Sequence, residues 1–179
     1  DEKERLRKNK AKGWYPRLVL TLGNHEQRIP RAVELDRKLD GIMTIDHLEY
    51  EKFGWEVIPF LKPINIDGVL YAHYFVSGVM GRPVSSARAL VTKKHMSCVM
   101  GHVQQTEIDM SQRKGDGTPL VGLFCGLYTP YDESYLDPQT NVQHKQIWMN
   151  REVKDGFFYP QPISLSYLER TYKRVDVAS

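Results

Sequence analysis

Cysteine is scarce in this chain, with two in 179 residues. That excludes a small scaffold stapled by disulfides. Long apolar runs are missing as well. A stretch such as Val121–Tyr128 is far short of the ~20 residues that a membrane-spanning helix needs. There are no internal repeats and no low-complexity segments. With 41% hydrophobic and 11% aromatic residues, disorder and collagen-like classes are excluded, and the length suffices for a sizeable core. An excess of one charge is also absent from most of the chain. Residues 1–12 hold six Lys/Arg and three Asp/Glu, whereas the other 167 residues hold 19 of each sign. The net +3 therefore belongs to the first segment, and the basic balance is weak ground for nucleic-acid binding by the rest. The charged opening DEKERLRKNKAK does not resemble a secretory signal. A cytoplasmic globular protein is the expectation.

What is present is an alternation of short apolar runs and polar turns. Residues 1–15 read as a charged helix or leader. Arg17–Leu22 is a branched apolar run bounded by Pro16 and Gly23, the signature of a buried strand. Ile29–Leu39 has helical spacing with Pro30 in its first turn, and Ile42–Phe53 is a less regular helical candidate. Trp55–Phe60 alternates as a strand. Pro63–Ile66 and Val69–Phe75 flank Asp67-Gly68, a two-residue hairpin signal. Val84–Lys94 reads as a helix and Ser97–Met100 as a short strand. Two more hairpins follow, turning at Lys114–Gly117 and at Lys154–Gly156, the second joining Gln146–Val153 to Phe157–Tyr167. Pro130–His144 reads as a polar loop. The class is α/β or α+β with a mixed sheet.

Two apolar strands end in Gly/His turns, Gly23-Asn24-His25-Glu26 and Gly101-His102-Val103-Gln104. Ligands in open α/β sheets gather at the carboxyl ends of strands. Between these turns His73 sits among apolar neighbours in VLYAHYF, where an imidazole costs stability unless it has a partner. Imidazole suits divalent first-row metals, and amide oxygens suit harder ones. Any one of these histidines alone is ordinarily a core or cap residue. The combination points to Asn24, His25, His73, His102 and Gln104 meeting around a metal-bound phosphate or water.

This order, GNHE, then a lone His, then GH, resembles the C-terminal motif set of the calcineurin-like metallophosphoesterases. That family's sequence of motifs is Asp-x-His, Gly-Asp-x-x-Asp, Gly-Asn-His-Asp/Glu, His and Gly-His-x-His. The matching motifs span residues 23–104, and the stretch GFFYPQPISLSYLERTY looks like the tail of phage-encoded members. The resemblance implies a sandwich of two mixed β-sheets flanked by helices. It implies two divalent metal ions, manganese first, with zinc, iron or nickel as alternatives. Asn24, His73 and His102 would hold the second metal, and Gln104 stands where the family has a histidine ligand of the first. His25 would protonate the leaving group, and Glu26 would orient and charge it. The implied activity is hydrolysis of a phosphate ester, of phosphodiesterase or nuclease type, by in-line attack of a metal-bridging hydroxide. DNA or a nucleotide is then a candidate substrate, in the host cytoplasm if the chain is phage-encoded.

Two departures qualify the match. Gln104 offers a weaker, harder ligand than imidazole. Neither Asp-x-His nor Gly-Asp-x-x-Asp occurs in residues 1–22, so residues 16–179 are expected to be the C-terminal part of a domain whose N-terminal strands lie upstream. The alternative is a non-catalytic interaction protein with an incomplete metal site. A third reading, nucleic-acid binding through the basic first segment, rests on twelve residues alone. The other polar and reactive groups have plainer readings. His47 is a surface residue and His95 a helix C-terminal cation. Cys98 and Cys125 are buried, reduced thiols. Arg82, Arg88, Lys93 and Lys94 fit either a phosphate channel or solvated helix charges.

Overall fold

The computed structural model describes residues 15–129 and 144–172. The leader expected over residues 1–15 lies outside them but for Tyr15, and the loop at 130–144 but for His144. The described chain is a mixed α+β fold. Its centre is a five-stranded sheet in the order β3-β4-β7-β9-β8. Its strands are β3 (Ile64–Ile66), β4 (Val69–Ala72), β7 (Cys98–Met100), β8 (Thr106–Gln112) and β9 (Pro119–Cys125). β4, β7 and β9 run parallel, and antiparallel β3 and β8 close the two edges.

Each face of this sheet is covered. Helix α2 (Ala87–Lys94) lies on one side, where Ala87 and Leu90 pack with Cys98, Met100 and Phe124. The antiparallel ribbon of β10 (Gln146–Lys154) and β11 (Phe157–Ser164) lies on the other, where fully buried Phe158 meets Val69, Val99, Val121 and Leu123. The alternation along β9, with Val121 and Leu123 facing the ribbon and Phe124 facing the helix, is the period-two geometry of a strand covered on both sides. Close approach is built in at Gly122, where an added Cβ would stand 2.5 Å from the Ala87 carbonyl. Ser86 caps α2 by accepting the Ala89 N–H at 3.1 Å.

The strand β1 (Leu18–Thr21) pairs in parallel with β2 (Trp55–Ile58) as a separate two-stranded sheet. Its residues are half-buried, less than the buried strand expected, and full burial begins at Leu22. Helix α1 (Arg28–Leu35) follows. It stops before Leu39 because Asp36 adopts an extended backbone and its carboxylate caps the next short turn through the Lys38 N–H. The helix expected over Ile42–Phe53 is instead two single 3₁₀ turns, Ile45–Leu48 and Glu51–Phe53. Glu49 and Gly54 break it by adopting left-handed backbone. A hairpin not foreseen from sequence, β5 (Val76–Ser77) with β6 (Arg82–Pro83), precedes the segment assigned to helix Val84–Lys94, and the helix itself begins at Ala87. The last strand ends at Ser164 rather than Tyr167. Ser164 Oγ accepts the Tyr167 N–H and starts helix α3 (Leu165–Tyr172).

The Asp67-Gly68 and Asp155-Gly156 turns have positive φ at all four residues, as such hairpins require. The two turns also touch. A Cβ on Gly68 would meet Gly156 backbone at 2.8 Å, and one on Gly156 would meet the Gly68 carbonyl at 2.8 Å.

Candidate metal centre

Two pairs of parallel strands, β1 with β2 and β4 with β7, direct their carboxyl ends to one place. β1 leads through Leu22 and Gly23 into Asn24, and β2 leads into Phe60. β4 leads directly into His73. β7 leads through Gly101 into His102. The register pairs Ala72 with Met100, so His73 and His102 emerge side by side from adjacent strands. His102 adopts a left-handed backbone, φ 60°, after Gly101, which turns its ring back toward His73.

Three donor atoms converge there. His73 Nε2 lies 2.8 Å from Asn24 Oδ1 and 3.2 Å from His102 Nδ1. An imidazole nitrogen offers a single in-plane proton or lone pair, so Nε2 cannot satisfy both neighbours well. Ligand atoms held about 2.1 Å from a common ion stand roughly 3 Å apart along a coordination edge. Two imidazole nitrogens and an amide oxygen suit a divalent transition-metal ion in chemistry, and the two separations from His73 Nε2 are of the length of such edges.

The surroundings favour the neutral rings that such binding requires. Burial pushes the His73 pKa down, the charge on His102 pushes it further, and His25 adds to this against an opposing pull from Glu26. Burial, then the nearby His25, lowers the His102 pKa too. Phe60 and Tyr74 wall the pair. Tyr74 packs on His102 at 4.8 Å between ring centroids, and Phe60 lies 6.2 Å from His73 and edge-on to Tyr74 at 5.7 Å. Neither wall residue was singled out in sequence. Their signal was position, since each directly follows or nearly follows a strand's carboxyl end.

Gly23 is required by this packing. A Cβ there would stand 3.0 Å from Glu26 Oε2 and 3.0 Å from the His73 ring. The Glu26 carboxylate accepts the Gly23 N–H at 2.7 Å and a hydrogen bond from the Tyr50 hydroxyl, whose pKa burial and Glu26 raise. Glu26 thus braces the loop that carries Asn24 and His25. It makes no hydrogen bond to His25, the partner that the resemblance implies for it. His25 itself is exposed at the rim.

Gln104 lies two residues beyond His102. The tight turn in which the Val103 N–H bonds the Gly101 carbonyl redirects the chain. The Gln104 carbonyl then lies near Gly126, and among the described residues no hydrogen bond or ring contact ties Gln104 to Asn24, His73 or His102. No group of three or more His, Cys, Asp or Glu among the described residues is arranged to hold a metal. The donor set is two imidazoles and an amide.

The remaining candidates sort plainly. Cys98 and Cys125 are free thiols, with pKa values pushed up by burial to about 12 and about 11, which leaves them un-ionised at neutral pH. His47 Nδ1 accepts the Thr44 N–H at 3.1 Å as a turn cap. His95 is the left-handed C-cap of α2. No helix among the described residues is long and apolar enough to cross a membrane. The chain matches no protein-family model, no curated protein and no solved structure.

Proposed function

We propose that the protein is a metal-dependent phosphoesterase of phosphodiesterase or nuclease type, built on a metallophosphoesterase-like arrangement of sheets. The observation that carries this reading is the convergence of Asn24 Oδ1, His73 Nε2 and His102 Nδ1 at three strand ends. One residue from each of the GNHE, lone-His and GH motifs takes part, although they are up to 78 residues apart in sequence. These three side chains would hold a divalent ion such as Mn²⁺. When bound, that ion supplies a Lewis acid and a water acidic enough to act as a nucleophile at neutral pH.

The chain's own residues perform the rest. The lowered proton affinity of His73 and His102 keeps both rings available as ligands near neutral pH. Phe60 and Tyr74 pack along one flank. His25, exposed at the rim, is free to give a proton to the departing ester oxygen, a role worth ~10²–10⁴-fold in rate. Glu26 and Tyr50 hold the loop so that His25 and Asn24 stay in place.

The second reading, a non-catalytic metal-binding or scaffold protein, is favoured by one observation. No carboxylate from the described residues joins the donor group. One experiment separates the two. Mn²⁺ binding is followed by electron paramagnetic resonance, and hydrolysis of a chromogenic phosphodiester by absorbance, with full-length protein. The enzyme reading expects binding and turnover, both lost in His73→Ala. In His25→Ala, turnover falls at least 100-fold while Mn²⁺ remains bound. Binding without turnover would establish the scaffold reading, and absence of both would overturn the metal site.

A further inference from the structure

The two edges of the five-stranded sheet differ. β3 is three residues long and directly follows Pro63. β8 is seven residues long, keeps a continuous register against β9 from Thr106 to Gln112, and contains no proline or lysine. Among the described residues, the side of β8 away from β9 pairs with no strand. Sheet edges are ordinarily blunted by shortness, proline, lysine or a bulge, because unpaired backbone groups template further pairing. β8 carries none of these four devices.

Two hydrogen bonds settle which of its backbone groups face outward. The Arg113 N–H donates to the Thr118 carbonyl at 2.8 Å, so the odd-numbered residues of β8 turn their backbone groups toward β9. On β9 the Val121 N–H donates to Ser97 Oγ at 3.0 Å, away from Met110, which stands opposite it in the ladder. Ile108, Met110 and Gln112 therefore present their N–H and C=O groups outward. Side chains alternate as well. Asp109 reaches Arg88 on α2, whereas Thr106 accepts a hydrogen bond from Gln146 Nε2 on β10. Ile108 and Met110 thus lie on the ribbon face, where they are 43% and 50% exposed.

We propose that β8 pairs antiparallel with β8 of a second copy of this chain, about a two-fold axis at Met110, so that two five-stranded sheets become one. The outward backbone groups of Met110 then bond those of its own counterpart, and those of Ile108 bond those of Gln112. Ile108 and Met110 of both copies come together on the ribbon face, where each is now partly in water.

A two-fold contact must be self-complementary, and charge chooses among the possible registers. An axis at Asp109 sets Asp109 against Asp109, and one at Ile108 sets Glu107 against Asp109. An axis at Met110 sets Asp109 against Ser111 and Glu107 against Arg113. Arg113 already pairs with Asp116, so this register wins by opposing no like charges rather than by a new ion pair. An axis at Ser111 also avoids like charges, but it overlaps the strands only over Met110–Gln112, against Ile108–Gln112 for the axis at Met110. The inference rests on neither the metal centre nor the proposed hydrolysis.

The test is sedimentation velocity of the full chain over a concentration series, in which the protein should pass from monomer to dimer. Met110→Pro removes an outward N–H that the β8–β9 ladder does not use, so the fold tolerates it, as circular dichroism will verify. It should weaken dimerisation about tenfold or more, because each copy loses a hydrogen bond. Met110→Lys leaves the backbone intact and should also weaken it, by setting two ammonium groups face to face at the axis. Met110→Cys reads the register. Directly opposed Cα atoms of a hydrogen-bonded pair lie about 5.5 Å apart, within disulfide range. Under a mild oxidant this variant should yield a cross-linked dimer, and Gln112→Cys, which stands opposite Ile108, should not. A monomer at every concentration, a dimer that Met110→Pro leaves unweakened, or cross-linking of Gln112→Cys in place of Met110→Cys would each overturn the proposal. Hydrogen exchange then names the true occupant of the edge. In a monomer, slow exchange at the Ile108 and Met110 amides would assign it to another segment of the same chain, and fast exchange would leave it to a strand from a different protein.

Discussion

At the scale of the residue, the histidine pair is where chemistry and stability meet. His73 Nε2 faces two polar atoms and can satisfy one. Both rings have a lower pKa in the folded protein than the usual value of about 6.5. The unfolded chain therefore binds more protons as pH falls, so the pair's contribution to stability is full above about pH 6.5 and declines below it, through the lowered folded values. Urea unfolding midpoints should fall between pH 7.5 and 5.5, and fall less in His73→Gln/His102→Gln. Equal pH dependence in the two proteins would show that the pair does not titrate with folding. Mn²⁺ binding should weaken over the same interval, because protons compete for both nitrogens. Gly23→Ala tests the packing beneath the site. Its Cβ would crowd Glu26 and the His73 ring at once, with an expected cost of about 1–3 kcal/mol. Metal affinity should fall with it, measurable by calorimetry. The motif residues were legible in sequence because type and order survive without coordinates. Tyr50, Phe60 and Tyr74 were not, because an aromatic residue beside a strand looks like core until its neighbours are known.

At the scale of the element, local signals located most strands and hairpins, and failed where neighbours decide the outcome. Both Asp-Gly turns could be read because positive φ is a demand that a dipeptide can meet alone. That the two turns pack glycine against glycine could not be read, since their contact spans 88 residues of chain, from Gly68 to Gly156. The contact predicts coupling. Gly68→Ala and Gly156→Ala should each destabilise, and the double variant should cost less than the sum, because the first clash already separates the turns. A double-mutant cycle by chemical denaturation reads this, with ~0.5 kcal/mol or more of interaction expected, and strict additivity would deny the contact. The helix assigned over Ile42–Phe53 was lost for a local reason, the left-handed backbone at Glu49 and Gly54. Only the second of these is announced by a glycine. The early strand end at Ser164 has the opposite cause, since a serine that caps a helix also suits an edge strand.

At the scale of the whole molecule, the layers hold one another in place. The β10–β11 ribbon covers the sheet chiefly through Phe158, which is fully buried against four aliphatic side chains from three strands. Phe158→Ala should cost about 3–5 kcal/mol. Hydrogen exchange should then quicken in β10 and β11 ahead of β7 and β9. Uniform acceleration would mean that the ribbon and sheet unfold as one unit. Sequence by itself determined the mixed class, three of the hairpins and the buried thiol of Cys98. Each follows from composition, period or dipeptide geometry, which are local properties. Tertiary structure alone decided that Asn24, His73 and His102 meet, and that Glu26 braces its own loop. Those outcomes depend on which strands lie side by side and on where each turn sends the chain. They are relations between distant residues, and no local pattern encodes them.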